Sequence, residues 1–250
     1  MDIKTIETKG KKIFVFGDIH GCISEFNSLF SYLEENHIIS ASDILVFIGD
    51  YIDRGINSND VIEQLIEIRY NYPESYFLKG NHEDMFLNYF GVYPENAEAF
   101  VKNGGDVTLS SYKIDQKIPS EKAVHKLSPL HFKFYCELID MVITEDFIFV
   151  HGGLNPDYKL EEQTEIDLMW IRDEFIAREH DFGKIVVFGH TPFKDIFIDL
   201  PYKIGIDTGV VYGNKLSCID LTDWKYYQVR AGHRTVITGR IKKDEQYQEE

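Results

Sequence analysis

Five apolar runs of this chain end alike, and that recurrence limits the possible folds more than any other feature of the sequence. FVF runs into GDIHG at 14–21, LVFI into GDYIDRG at 45–55, YFLK into GNHE at 76–83, FIFV into HGG at 147–153 and VVF into GHT at 186–191. One acid fenced by glycine is ordinary turn chemistry. Five apolar runs that each feed glycine and a metal-capable side chain are not. Short apolar runs bounded by turn residues read as buried strands, and helix-period segments lie between the first three. Ile23, Phe26, Leu29, Phe30 and Leu33 share one helical face; Val61, Ile62, Leu65, Ile66 and Ile68 follow from about Ser58, and Pro73 stops that helix.

Asp18 and Asp50 are 32 residues apart, and Asp50 and Asn81 are 31 apart. Those steps match one βαβ unit of about 30 or more residues. The pattern therefore predicts an α/β fold with neighbouring parallel strands and right-handed helical crossovers. Parallel neighbours bring their carboxyl ends to one rim, where open α/β sheets bind ligands. Asp18, His20, Asp50, Asn81, His151 and His190 would converge there. So many polar groups gathered at a sheet's rim are costly unless a charge compensates them, and metal cations are the simplest candidate. Imidazole, carboxylate and amide oxygen without thiolate suit manganese, iron, zinc or cobalt rather than a structural zinc cage. Six ligands are many for one ion with an open position. Two ions sharing one carboxylate, about 3.5–4 Å apart, would clamp both oxygens of an in-line displacement. Phosphate-ester hydrolysis is the reaction this predicts.

The remaining chain sets the boundaries. With 250 residues and 44% hydrophobic content, a full core can form in one domain. That domain is expected over 1–239, with a mainly helical insertion or cap at 84–140 and a charged, fraying tail at 240–250. Strand character returns from 141, at Met141–Thr144, Phe147–Val150, Ile185–Phe188, Lys203–Ile206, Leu216–Leu221 and Tyr226–Val229. A net charge of −16 repels polyphosphate backbones, so nucleic acid is excluded as a partner. Three dispersed cysteines suggest neither a disulfide framework nor a thiolate cage, and a reducing cytoplasm is expected. No apolar run approaches the roughly 20 residues of a membrane span.

GDIHG, GDYIDRG and GNHE in order, then HGG and GHT, resemble the calcineurin-like metallophosphoesterases. Asp53-Arg54-Gly55 and the full GNHE are similar to the phosphoprotein phosphatase branch, the bacterial and phage-type serine/threonine phosphatases in particular. The resemblance extends through Trp170-Ile171-Arg172 and Ile206-Asp207-Thr208-Gly209, covering most of residues 12–230. It implies a four-layer α/β/β/α sandwich of two mixed β-sheets, with a dinuclear metal site at the strand carboxyl ends. It also implies that Asp18 and His20 hold one divalent ion, that Asn81, His151 and His190 hold the other, and that Asp50 bridges them. Manganese is the first expectation, with iron, zinc, cobalt or nickel as alternatives. A hydroxide shared by the ions would attack phosphorus, Arg54 and Arg172 would grip the phosphate, and His82, steadied by Asp53, would protonate the leaving group. Glu83 would support the loop, and Tyr212 would approach the substrate.

The expected substrate is a phosphorylated protein or small phosphoester, with serine/threonine phosphate foremost. A symmetrical dinucleoside tetraphosphate is the alternative, and an inactive binding scaffold a third. His37, His125, His131, His180 and His233 lie outside the five motifs and read as surface or satisfied histidines. Cys22 reads as a packing residue, and Asn103-Gly104-Gly105 as a tight turn, because no strand leads into it.

Overall fold

The computed structural model describes residues 1–91 and 97–242. Strand β2 (Ile13–Phe16) explains the layering, because all four of its side chains are buried. Successive strand residues point to opposite faces. Phe14 and Phe16 join one hydrophobic cluster, Ile13 and Val15 another. Strand β3 (Ile44–Phe47) repeats the division, with Leu45 and Phe47 on one side and Ile44 and Val46 on the other. Sequence with no polar face thus builds a sheet covered on both sides.

That sheet runs β12 (Val236–Arg240), β11 (Lys225–Arg230), β10 (Lys215–Asp220), β2, β3 and β4 (Ser75–Phe77). Strands β2, β3 and β4 are parallel, as the 31- and 32-residue steps predict, and β10–β12 pair antiparallel. Helices α1 (Ile23–Glu35) and α2 (Ser58–Asn71) make the crossovers. The second sheet runs β1 (Ile3–Thr5), β5 (Met141–Ile143), β6 (Phe147–Val150), β7 (Ile185–Phe188), β9 (Lys203–Gly205) and β8 (Phe197–Asp199). Parallel and antiparallel pairs mix in it as well.

Between the sheets, Ile13, Val15, Ile44 and Val46 meet Val142, Phe149, Val187 and Ile204. The outer face of the first sheet is covered by α1, α2 and the helices α3 (Asn81–Tyr89), α4 (Ala97–Phe100), α5 (Asp106–Ser111), α6 (Ser120–Ala123) and α7 (Pro129–Cys136). That of the second is covered by α8 (Glu165–Trp170), α9 (Asp173–Ile176) and the link between them, through Leu168, Phe175 and Ile171 in turn. The four-layer α/β/β/α sandwich of two mixed sheets is the observed architecture.

Three edge strands escape the sequence pattern. Strands β1 and β8 are three residues each and exposed or half-exposed, so no apolar alternation marks them. Strand β12 is mostly exposed, and its pairing runs through Arg240, with the Ile241 amide donating to the Trp224 carbonyl. Of the tail expected to fray, 243–250 lie outside the described residues. No described helix is long and apolar enough to cross a membrane.

Candidate metal centre

Each candidate ligand leaves its strand at the carboxyl end. Asp18 and His20 follow β2, Asp50 follows β3, and Asn81 opens α3 just beyond β4; His151 follows β6, and His190 follows β7. All six are buried. Asp50 is the centre of the group. Its Oδ1 lies 3.3 Å from His151 Nε2, and its Oδ2 lies 3.5 Å from His20 Nε2. Among the described residues, two metal-capable groups share it: His20 and His82 on one side, His151 and His190 on the other. Asn81 Oδ1 lies 3.1 Å from His151 Nε2, and Asp18 Oδ2 accepts the His190 amide at 3.0 Å.

The backbone sets the tautomers. His20 Nδ1 donates to the Ile52 carbonyl at 2.7 Å and His151 Nδ1 to the Ile48 carbonyl at 3.0 Å, which turns both Nε2 atoms inward. Holding these side chains together strains the loops. His20, Asp50, Asp53, Arg54 and His190 all have φ between 46° and 71°, the left-handed region, and make up five of the nine non-glycine residues found there among the described residues. Such positions cost about 1–3 kcal/mol each, so the layers must over-determine them. Close approach adds a second demand. A Cβ on Gly80 would lie 2.2 Å from Asp50 Oδ1, and one on Gly189 2.2 Å from Asp18 Oδ1. Those glycines are needed for contact, not merely for turning.

Glu83 clamps the second loop. Its carboxylate accepts the amides of Asp50 and Tyr51 at 2.8 Å, Gly80 at 3.0 Å and Ile52 at 3.3 Å. Behind His190, Arg172 donates to that residue's carbonyl at 2.9 Å and to Thr191 Oγ1 at 3.1 Å, rather than pairing with Asp173 or Glu174. Buried Lys203 donates to the Phe175 and Ile176 carbonyls at 3.1 Å and so fixes the C-terminal end of α9, at whose opposite end Arg172 occupies the N-cap position. Arg54 donates to His20 Nε2 at 2.7 Å and lies over the Tyr212 ring at 5.5 Å. His82 Nδ1 and Asp53 Oδ2 are 2.6 Å apart, forming the expected dyad.

The electrostatics are those of a site built for cations. Burial, then the charges of Asp207 and Asp50, hold the Asp18 acid well above its usual range. Burial pushes the imidazolium forms of His20 down to about 3, His82 to about 4 and His190 to about 2. Burial would also raise Asp50, but His151 and the neighbouring imidazoles overcome it and hold that acid well below its usual range. His20 and His190 thus present neutral lone pairs to an anionic carboxylate, while Asp50 raises His151 in spite of burial. Asp18 Oδ1 and His190 Nε2 are buried with no hydrogen-bond partner among the described residues. Orphaned acceptors facing an imidazole–carboxylate–amide set without thiolate fit divalent metal ions.

Asp207, absent from the expected ligands, is buried beside Asp18 and Asp50, and burial raises its acid to about 6. The run KIGI into Asp207 has the pattern of the other five ends but lacks a glycine before the acid. Asn103-Gly104-Gly105 is not an isolated turn. It lies in a π-helical segment, Val101–Gly105, where Gly104 takes φ 100° and its carbonyl accepts the Arg54 amide at 3.3 Å. The Cys22 thiol, pushed up to about 12 by burial, is inert packing.

Comparison with known proteins agrees with this geometry. A sequence profile of the calcineurin-like phosphoesterases matches residues 11–218. The chain is 27% identical over 232 residues to the bis(5'-nucleosyl)-tetraphosphatase PrpE (asymmetrical) of Bacillus mycoides, covering 82% of this chain and 89% of that one. A solved structure provisionally described as a diadenosine tetraphosphatase superposes with a TM-score of 0.67 at 20% identity, over 92% of this chain and 98% of its own. A serine/threonine phosphatase of Saccharomyces cerevisiae, similar to human phosphatase PP5, gives 0.58 at 15% identity, over 97% and 84%. The two structural likenesses are likenesses of fold.

Proposed function

The chain belongs to the calcineurin-like phosphoesterase family and is a metal-dependent hydrolase, and from that premise we propose that it cleaves dinucleoside tetraphosphates asymmetrically. The observation that carries the hydrolytic chemistry is Asp50, one carboxylate facing both imidazole groups. In this reading Asp18, His20 and Asp50 hold one divalent ion, and Asp50, Asn81, His151 and His190 the other. Bound ions supply charge stabilisation at the phosphoryl oxygens and a more acidic water. The protein's own groups do the rest. Arg54 and Arg172 pair their planar donors with phosphate oxygens, a role for which Arg172 is exposed at the rim. His82 delivers a proton from Nε2 to the departing oxygen while Asp53 holds Nδ1. Burial opposes the charged imidazole, and the substrate's negative charge restores it on binding.

The substrate class is supported by the relatives' activity and by two exposed aromatics. Trp170, 41% exposed, meets the His190 ring edge-on at 5.9 Å, and Tyr212, 62% exposed, lies beneath Arg54. Each offers a planar face for a base beside the phosphate grip, worth roughly 1–3 kcal/mol per stack. The relatives' names specify asymmetrical cleavage, which supports that mode over the symmetrical one, the alternative expectation from the sequence. The His82–Asp53 dyad favours a second reading, a phosphoprotein phosphatase, since an alkoxide leaves poorly without a proton. A cytoplasmic setting suits either, its support being the free cysteines Cys22, Cys136 and Cys218.

The test is a turnover panel with Mn²⁺: a dinucleoside tetraphosphate, a phosphoserine peptide and an aryl phosphate. Triphosphate plus monophosphate as the preferred products supports the proposal. Two diphosphates would shift it to the symmetrical mode, and preference for the peptide would overturn it.

A further inference from the structure

From the geometry behind the dyad we infer that Thr108 is a positioning residue for proton transfer, orienting Asp53 so that His82 Nε2 faces the leaving oxygen. This inference rests on the reading of His82 as proton donor. Thr108 stands on α5, is fully buried, and lies 55 residues from Asp53 in sequence. Its Oγ1 donates to Asp53 Oδ1 at 2.6 Å and accepts the Asp53 amide at 2.9 Å. The other carboxylate oxygen, Oδ2, takes His82 Nδ1. Each oxygen of Asp53 therefore has one short bond, and the plane of the carboxylate is fixed by two groups from different elements.

Proton counting makes the arrangement directional. A threonine hydroxyl has one proton and two lone pairs. The proton is committed to Asp53 Oδ1, so Ser58 Oγ, 2.9 Å away, is the donor in the Ser58–Thr108 bond. The Asp53 amide is shared between Thr108 Oγ1 at 2.9 Å and Ser58 Oγ at 3.1 Å, so with that amide and the Ser58 hydroxyl facing it Thr108 cannot rotate its proton elsewhere without loss. The support is needed because Asp53 and Arg54 are consecutive left-handed residues, φ 71° and 69°. The segment Val101–Gly105, which leads directly into α5, braces the second of them through the Gly104 carbonyl. Without the Thr108 hydroxyl the carboxylate is free to twist about its side-chain bonds, and His82 with it.

The experiment compares Thr108→Val, which keeps the shape and removes the bond, with Thr108→Ser, which keeps the hydroxyl. Mn²⁺-loaded enzyme is assayed on phenyl phosphate, a poor leaving group, and p-nitrophenyl phosphate, a good one. Thr108→Val is expected to lower kcat about tenfold on the first and under about twofold on the second, with KM unchanged, and Thr108→Ser to restore the rate. In metal-free protein, the downfield proton resonance of His82 Nδ1–H should be lost in Thr108→Val and kept in Thr108→Ser. Equal loss on both substrates, no rescue by serine, or a resonance untouched by valine would overturn the inference; where turnover is too low to read, the resonance decides. His82→Ala is the separate control: if it shows no leaving-group contrast, the proton-donor reading fails, whatever Thr108 does.

Discussion

The loops at the strand ends concentrate buried charge and left-handed backbone, while the helices from Ala97 to Cys136 bury aromatic and aliphatic side chains behind them. The first region is costly to fold and holds the groups to which the chemistry is assigned in the proposed function. The second holds none of them, yet Phe100, Leu109, Phe134 and Tyr135 join the main cluster beneath α3, and Thr108 and Gly104 reach through it to Asp53 and Arg54. A strained site persists because a well-packed neighbour over-determines it.

The sharpest way to break this contrast is Asp18→Asn. The bound ions supply several kcal/mol of charge stabilisation, so Mn²⁺-dependent kcat should fall about a thousandfold or more. In the metal-free protein the same change removes a charge that burial, Asp207 and Asp50 all disfavour. The melting temperature should therefore hold or rise, and a clear drop would mean that the loop is not paying in stability for its chemistry. Phe134→Ala should do the opposite. That ring is buried against Phe77 at 5.3 Å and Tyr51 at 6.2 Å. Its loss should cost about 3–5 kcal/mol in denaturant unfolding and leave kcat per folded molecule within about twofold.

The pH response sharpens the comparison further. Burial and the charge of Asp50 push the Glu83 acid up to about 8, against the pull of the amides it accepts. The unfolded chain gives up that proton near pH 4.5, so between there and 8 the folded state binds more protons and stability falls as pH rises. His151 acts in the same direction above pH 6.5, because Asp50 raises it in spite of burial. Metal-free protein should thus lose about 1–2 kcal/mol from pH 6.5 to 8 relative to Glu83→Gln, a comparison that cancels the opposite contribution of His20, His82 and His190, which the fold holds below their usual range. Thermal melts in a chelator would read this, and a flat or rising trace would contradict the charge crowding; Mn²⁺ should flatten it. The smallest effect concerns the surface. With a net charge of −16, capture of an anionic substrate should speed up by roughly twofold or less as salt rises, read from kcat/KM.

The parts of the site legible in the sequence are those that sit next to their strand. Asp18, Asp50 and Asn81 follow an apolar run within a few residues, so local spacing suffices to gather them, and His151 and His190 repeat the pattern in the second sheet. Asp207 follows the same rule but was hidden by Ile206, which extends the apolar run up to the acid where the others have a glycine. Thr108 follows no local rule. It lies in a six-residue helix with no apolar period, and what makes it matter is a partner 55 residues away. The layers were legible in the same measure: β2 and β3 announce two covered faces, whereas β1 and β8 are too short and too open to leave a pattern.

Asp18, His20, Asp50 and Asn81 hang from one slab of the sandwich and His151 and His190 from the other. Any cation held by both sets rivets the slabs together, so shear between them would tear its coordination apart. Loading should therefore make the two sheets come undone as a single unit, with the rivet as the last fastening to give.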